Sequence, residues 1–443
     1  MFVRLSLLII LILQSVNIIQ SYLIFPFYKL TDIYDEDDKK VAEKIYNNEI
    51  YTNISIGTPN QQIPFLISFD KASTFIADNS FTTAKYDPKV SETFQKLSSK
   101  SGNYFFENLK KGYNVSDYFR IMNNNYDFID VEIPFILATE LSYSFNFSAS
   151  LGLKKKTYSN RNIFNFIENL KKKDVINSEV FSFKFDDNGD GELLIGSYPH
   201  EYDSNYNSED LIQSSSLEMG ISNNWYLHFD GIFYGENNTM YVEDTKSFEL
   251  DPEKGMIVLN KEMENIIYEN FFKGLIEQNK CIKIQLNNKY NNYICEDTID
   301  ISSFKPVKLR HKGMEFDFVL EVNDLFYHYY DRYFFLLAFT DSSFLYLGKP
   351  FFKKFNLIFN QDSKQIALYV SISKGNKKLK KLKNILPITL IILLIIAILL
   401  IGRKLYIYRV RKLKVNEIIE DFDYNYQPEK KTKIFEMSSA RHT

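Results

Sequence analysis

Side chains able to carry chemistry are sparse in this 443-residue chain, which has two cysteines and five histidines. That is too few for a Cys-rich zinc module or a disulfide-dense scaffold. Cys281 and Cys295 lie 14 apart and predict one small-loop disulfide in an oxidising compartment. The sequons Asn53-Ile54-Ser55, Asn114-Val115-Ser116, Asn146-Phe147-Ser148 and Asn237-Asn238-Thr239 are possible glycan sites in the same compartment. Asp186-Asp187-Asn188-Gly189-Asp190-Gly191 matches the first half of a calcium loop. Its twelfth position is Ser197 instead of a bidentate Glu, and both flanks alternate as strands. A β-hairpin turn is therefore predicted there, and no metal site.

The elements that must hold these groups are mostly strands. Hydrophobic residues make up 45% and aromatics 16% of the chain, while 53 Lys and Arg against 56 Asp and Glu leave a formal charge of −3. This balance excludes a solvated, disordered chain and a dedicated nucleic-acid binder. Tyr51 to Gly57 alternates, Ile63 to Phe69 is a buried run, and Glu179 to Phe185 and Glu192 to Gly196 flank the Asp187-Asn188-Gly189 turn. Leu320 to Val322, Phe344 to Gly348 and Phe355 to Phe359 continue in the same style. Helical patterns are few, the best being Asn162 to Leu170 and Lys261 to Phe272. A mostly-β body in two lobes is expected, residues 49–205 and 206–372.

Both ends of the chain point to a membrane. Residues 1–21 read as a secretory signal peptide, with Arg4 ahead of the apolar run Leu5 to Leu13. Residues 22–48 form a short N-terminal segment with a charge cluster from Asp32 to Lys40. Residues 385–402 are almost purely Ile and Leu and match the shortest helix that spans a bilayer. A basic linker, residues 373–384, precedes this run, and Arg403 to Lys414 follows it, so flanking charge does not set the orientation. The signal peptide does. The expectation is a single-pass type I protein of the secretory pathway or plasma membrane, with a lumenal or extracellular body and a cytosolic tail over 403–443.

The order of motifs resembles the pepsin-like aspartic peptidases. Tyr51-Thr52-Asn53-Ile54-Ser55-Ile56-Gly57-Thr58-Pro59 is similar to that family's opening strand and turn. Phe69-Asp70-Lys71-Ala72-Ser73 stands where the family has its first Asp-Thr-Gly-Ser, and Leu250-Asp251-Pro252-Glu253-Lys254 takes the second such position. Ser150-Leu151-Gly152-Leu153 resembles the strand crossing beneath the first loop. Trp225 to Ile232 fits the strand that opens the second lobe, and Leu345 to Asn360 is similar to the closing segment. The resemblance covers nearly all of the body between the signal peptide and the basic linker. It implies a bilobal double β-barrel, a peptide or protein ligand between the lobes, and no cofactor.

The chemistry implied is general acid–base hydrolysis by Asp70 and Asp251. One is ionised and activates a water, the other is protonated and polarises the scissile carbonyl. In the family, a Thr after each Asp grips the opposite lobe, a Gly lets the loop turn tightly, and a hydroxyl residue supports the carboxylate. Here only Ser73 is kept; Lys71, Ala72, Pro252, Glu253 and Lys254 replace the rest. Pro252 offers neither hydroxyl nor N–H, so no grip is expected from that side. The altered side chains are expected to swing out into solvent and the two aspartates to part. Gly112 to Asp117 keeps the spacing that follows the family's flap, and counting back puts Phe105 at the flap tip. Three readings stay open: an aspartic endopeptidase, an inactive pepsin-fold binding module, and a surface receptor whose cleft is incidental.

Overall fold

The computed structural model describes residues 22–29, 37–78, 86–103, 109–141, 148–155, 164–215, 224–235, 240–311, 313–314, 316–369 and 401–411. The expected signal peptide, Phe105, the sequons at Asn146 and Asn237, and the apolar run as far as residue 400 lie outside the described residues.

The body is built on two sheets, one of 14 strands and one of 11. Period-2 alternation sets their faces. In the Ile50–Ile56 strand, Ile50, Thr52, Ile54 and Ile56 point into the core, while Asn53 faces solvent. Strands enclosed on both faces need no alternation, and every residue of Phe75–Ala77 and Ala149–Gly152 is buried. The first sheet draws on strands up to residue 215 and then receives the chain's return. Val180–Phe185 pairs with Ile358–Asn360, and Leu211–Ser215 with Gln365–Tyr369. The second sheet is made of strands lying between residues 226 and 347.

The Asp186–Gly191 run is a hairpin turn between Val180–Phe185 and Gly191–Ile195, closed by the Asp186 N–H on the Asp190 carbonyl at 2.8 Å. Cys281 and Cys295 face each other across a hairpin and are joined as a disulfide. The first expected helix is found at Phe166–Lys172, capped by Asn165. The second begins as Lys261–Ile267, widens to a π-turn over Tyr268–Phe272 and resumes as Lys273–Glu277.

Three α-helices among the described residues were not foreseen, the shortest being Val322–Leu325, where the expected strand run stops at Leu320. Asp38–Tyr46 lies inside what read as a charge cluster. Asp37 caps its N-terminus, and Val41, Ala42, Ile45 and Tyr46 pack on Met256, Val258, Leu286 and Tyr290. Lys349–Phe355 fills the stretch between the strand-like runs Phe344 to Gly348 and Phe355 to Phe359, with Pro350 in its first turn. Residues 401–411, described by themselves, are helical and include Arg403 to Arg411, assigned above to the tail. Among the described residues no helix is long and apolar enough to cross a membrane.

Candidate active site

Two loops of matching construction carry Asp70 and Asp251. The first leaves the Gln61–Ser68 strand, whose last residues run parallel to Ala149–Gly152, with Ser68 opposite Gly152. A Cβ on Gly152 would lie 2.7 Å from the Lys71 carbonyl oxygen and 2.8 Å from the Ser73 nitrogen, so only glycine lets that strand pass beneath the loop. The second loop leaves Met240–Leu250, which runs parallel to Leu345–Leu347. Here Gly348 has the same duty, since a Cβ would sit 2.4 Å from the Lys254 carbonyl oxygen and 2.2 Å from that of Met256. The Asp251 N–H donates to the Leu347 carbonyl at 3.1 Å. Between Ser68 and Asp70, the Phe69 ring is fixed among Phe181, Phe183, Phe352 and Phe359, with centroids 5.2–5.9 Å apart.

The altered side chains do not swing outward. Lys71 is 3% exposed, Asp251 7% and Glu253 8%, whereas the Asp70 side chain is 54% exposed. Lys71 turns back within its own loop and places Nζ 2.8 Å and 3.0 Å from the two Asp70 carboxylate oxygens. Isolated, a buried ammonium would cost several kcal/mol, and the carboxylate partner offsets that. Ser73, the one retained supporting hydroxyl residue, is buried at the end of the loop.

Glu253 is the larger surprise. Its Oε1 accepts the Phe69 N–H at 2.6 Å and lies 3.0 Å from Ser68 Oγ, and Ser68 Oγ in turn lies 2.6 Å from Asp70 Oδ1. The Glu253 N–H donates to Asp251 Oδ1 at 2.9 Å. A contact between the loops therefore exists, made by a carboxyl from the family pattern's glycine position and not by the hydroxyl grips that pattern implies.

These neighbours push the acids apart. Burial drives Asp70 upward, but the Lys71 charge, the hydrogen bonds from Lys71 and Ser68, and the Lys154 charge outweigh it, and Asp70 titrates below its ordinary value. Burial and the Asp70 charge raise Asp251 against the pull of Lys254. Burial, then Asp251 and Asp70, hold Glu253 well above the carboxylate range. Glu249, at the end of the strand entering the second loop, is pushed up to about 7 by burial and the Asp251 charge.

The N-terminal segment reaches this site. The Tyr46 carbonyl accepts the Gly255 N–H at 3.0 Å, and a Cβ on Gly255 would fall 1.8 Å from the Ile45 carbonyl oxygen. Lys349 Nζ donates to the Asn48 carbonyl. Two cavities of about 310 and 300 Å³ lie elsewhere; neither is lined by Asp70 or Asp251, and the second is bordered by Asn48, Gly255 and Lys349.

Asp70, Asp251 and Ser73 are candidates from the sequence alone, whereas Ser68 and the reach of Glu253 emerge only in the structure. Ser68 left a signal, a hydroxyl in the otherwise apolar run Phe65-Leu66-Ile67-Ser68-Phe69. Asp117, which follows the flap, is fully buried and accepts from Tyr86 Oη at 2.7 Å and Thr93 Oγ1 at 2.5 Å.

Two sheets, each delivering an aspartate loop over a glycine-bearing parallel strand, define a pepsin-like architecture. A model of the eukaryotic aspartyl protease family matches residues 49–369, and the chain belongs to that family. No match was found among curated proteins.

Proposed function

We propose that this protein is a membrane-anchored aspartyl protease homologue that holds an extended polypeptide segment over its paired aspartates without hydrolysing it. The observation that carries this reading is the Lys71–Asp70 ion pair. A water-activating base needs free lone pairs facing the water. Both Asp70 oxygens are engaged by an ammonium fixed in the same loop, which also lowers the basicity of the carboxylate. In the second loop Pro252 and Glu253 stand where the family has its Thr and Gly. The peptide-binding part of the proposal rests on family membership and on the open face of Asp70. Anchoring through residues 385–402, secretion through residues 1–21 and glycans at Asn53, Asn114, Asn146 and Asn237 complete the proposal, with the body lumenal or extracellular. Asn53 is exposed on its strand, as an acceptor site requires.

A second reading, an active aspartic endopeptidase using Asp70 and Asp251, is favoured by one observation. The two carboxyls are displaced in opposite directions, one toward ionised and one toward protonated. Full-length protein in detergent, incubated with a mixed peptide library from about pH 3 to about pH 7, separates the readings. Retention of intact peptides with no new termini supports the binding module. Cleavage that disappears in both Asp70→Asn and Asp251→Asn would establish the peptidase.

A further inference from the structure

The contacts of Ser68 bear on which of the three loop acids, Asp70, Asp251 and Glu253, keeps its proton. Ser68 has one hydroxyl hydrogen but two carboxyl neighbours, Asp70 Oδ1 at 2.6 Å and Glu253 Oε1 at 3.0 Å. Asp70 is ionised by its contact with Lys71, so it accepts from Ser68. The shorter distance fits a hydroxyl donating to a charged oxygen. The remaining contact then needs its hydrogen from Glu253. The groups acting on Glu253 are Asp251, Asp70, Lys71 and Lys254, and both aspartates oppose a second buried negative charge.

We propose that Glu253 is a positioning residue that enters the first loop as a neutral acid, accepting the Phe69 N–H and donating to Ser68, whose own hydrogen is thereby committed to Asp70. The carboxyl sits in the position of a tight-turn glycine and supplies the link between the loops that Pro252 cannot. It sets the direction of the Asp70 carboxylate through Ser68 and couples it to Asp251 through its own backbone N–H. The inference deepens the reading of this site as the functional centre.

The test uses full-length protein in detergent and the variants Glu253→Gln, Glu253→Ala and Ser68→Ala. A glutamine cannot ionise, but its single atom at the Oε1 position serves only one of the two contacts there, so the comparison reads how the gap to wild type changes with pH and not its absolute size. A group protonated when folded and ionised when unfolded contributes stability that is complete below the unfolded value and lost as pH rises through the folded one. Wild type should therefore lose urea midpoint relative to Glu253→Gln as pH rises above the ordinary carboxylate range, whereas Glu253→Ala should be weaker at every pH. An ionised clamp predicts the reverse, with wild type gaining midpoint relative to Glu253→Gln as pH rises through the ordinary carboxylate range, and this result would overturn the proposal. A spectroscopic arm needs no Glu253 variant. The infrared carbonyl stretch of a protonated carboxyl should be present in wild type near neutral pH and shifted in Ser68→Ala. A wild-type spectrum with no such band, or a band unmoved in Ser68→Ala, overturns it too. Neither readout requires bound peptide, so failure of the binding proposal and failure of this one are distinguishable.

Discussion

Glu253 Oε1 accepts the backbone N–H of Phe69 at 2.6 Å across 184 residues of chain. Phe69 immediately precedes Asp70, and Glu253 follows Asp251 by two, so this single contact ties the two aspartate loops together. The family pattern implied hydroxyl grips; here the loops are held by a different functional group in the same place. A carboxyl so enclosed needs hydrogen-bond partners, and the Phe69 and Ser68 contacts both fall on its Oε1.

The Lys71–Asp70 pair sets the acid limb of stability. Asp70 titrates below its ordinary value when folded, so the pair's contribution is present above the unfolded carboxylate value and lost as pH falls through the folded one. Replacing Lys71 with Thr should remove it. Fully buried pairs lose ~3–5 kcal/mol on truncation, and the half-exposed Asp70 brings the expected loss down to about 1 kcal/mol. Urea titrations of wild type and Lys71→Thr should differ near neutral pH and converge in strong acid. A constant gap at all pH would show that the charge pair is not the source.

The glycines beneath the loops predict severe, local damage. Gly348→Ala would drive a methyl to 2.4 Å from the Lys254 carbonyl oxygen. Backbone must shift to admit it, and overpacking of this kind costs about 1–3 kcal/mol. An equal loss is expected for Gly152→Ala, which presses on the Lys71 carbonyl. Gly274→Ala is the control, because nothing lies within 4 Å of its Cβ position. Denaturant midpoints should fall for the first two and hold or rise for the third.

The disulfide offers an independent measurement. Cys281 and Cys295 close a separation of 14 residues in a surface hairpin of the second sheet. Loop-closure entropy for such a ring gives about 3 kcal/mol. Reductant, or paired Ser replacements, should lower the thermal midpoint of the wild-type body and leave the Cys-free variant insensitive to reductant.

What the sequence displayed was whatever depends on local pattern. Alternation at Ile50–Ile56, the turn at Gly189 and the cysteine spacing all follow from periodicity or turn chemistry within a few residues. The aspartate loops were legible because their order along the chain resembles a family. The orientation of Lys71 and Glu253 was not legible, and reasoning from cost alone sent both into solvent. Lys71 is buried against the carboxylate next to it, Asp70. Glu253 finds Phe69, 184 residues away, only after the two sheets assemble. The Asp38–Tyr46 helix was hidden for a similar reason. Its charged residues dominate the composition, while the short stripe Val41, Ala42, Ile45 and Tyr46 acquires meaning only against Met256 and Tyr290.

Lys349 gives a prediction of opposite sign. It is 5% exposed, and burial lowers its amine to about 7. Between that value and the ordinary amine value the unfolded chain binds more protons than the folded one, so stability rises with pH across this window. Below it, the folded protein carries the whole cost of a buried ammonium, which at 1.36 kcal/mol per pK unit is on the order of 5 kcal/mol. Lys349→Met removes that cost but leaves the Asn48 carbonyl without its donor, a loss of about 1–3 kcal/mol. A net stabilisation of about 2 kcal/mol is expected near pH 6. It should shrink as pH rises and reverse in alkali, where wild type keeps a neutral amine donating to Asn48. Urea unfolding of both proteins at several pH values measures the crossing. A Lys349→Met variant that is weaker than wild type at every pH would mean that the ammonium is stabilised in place, and that its hold on the N-terminal segment outweighs its desolvation.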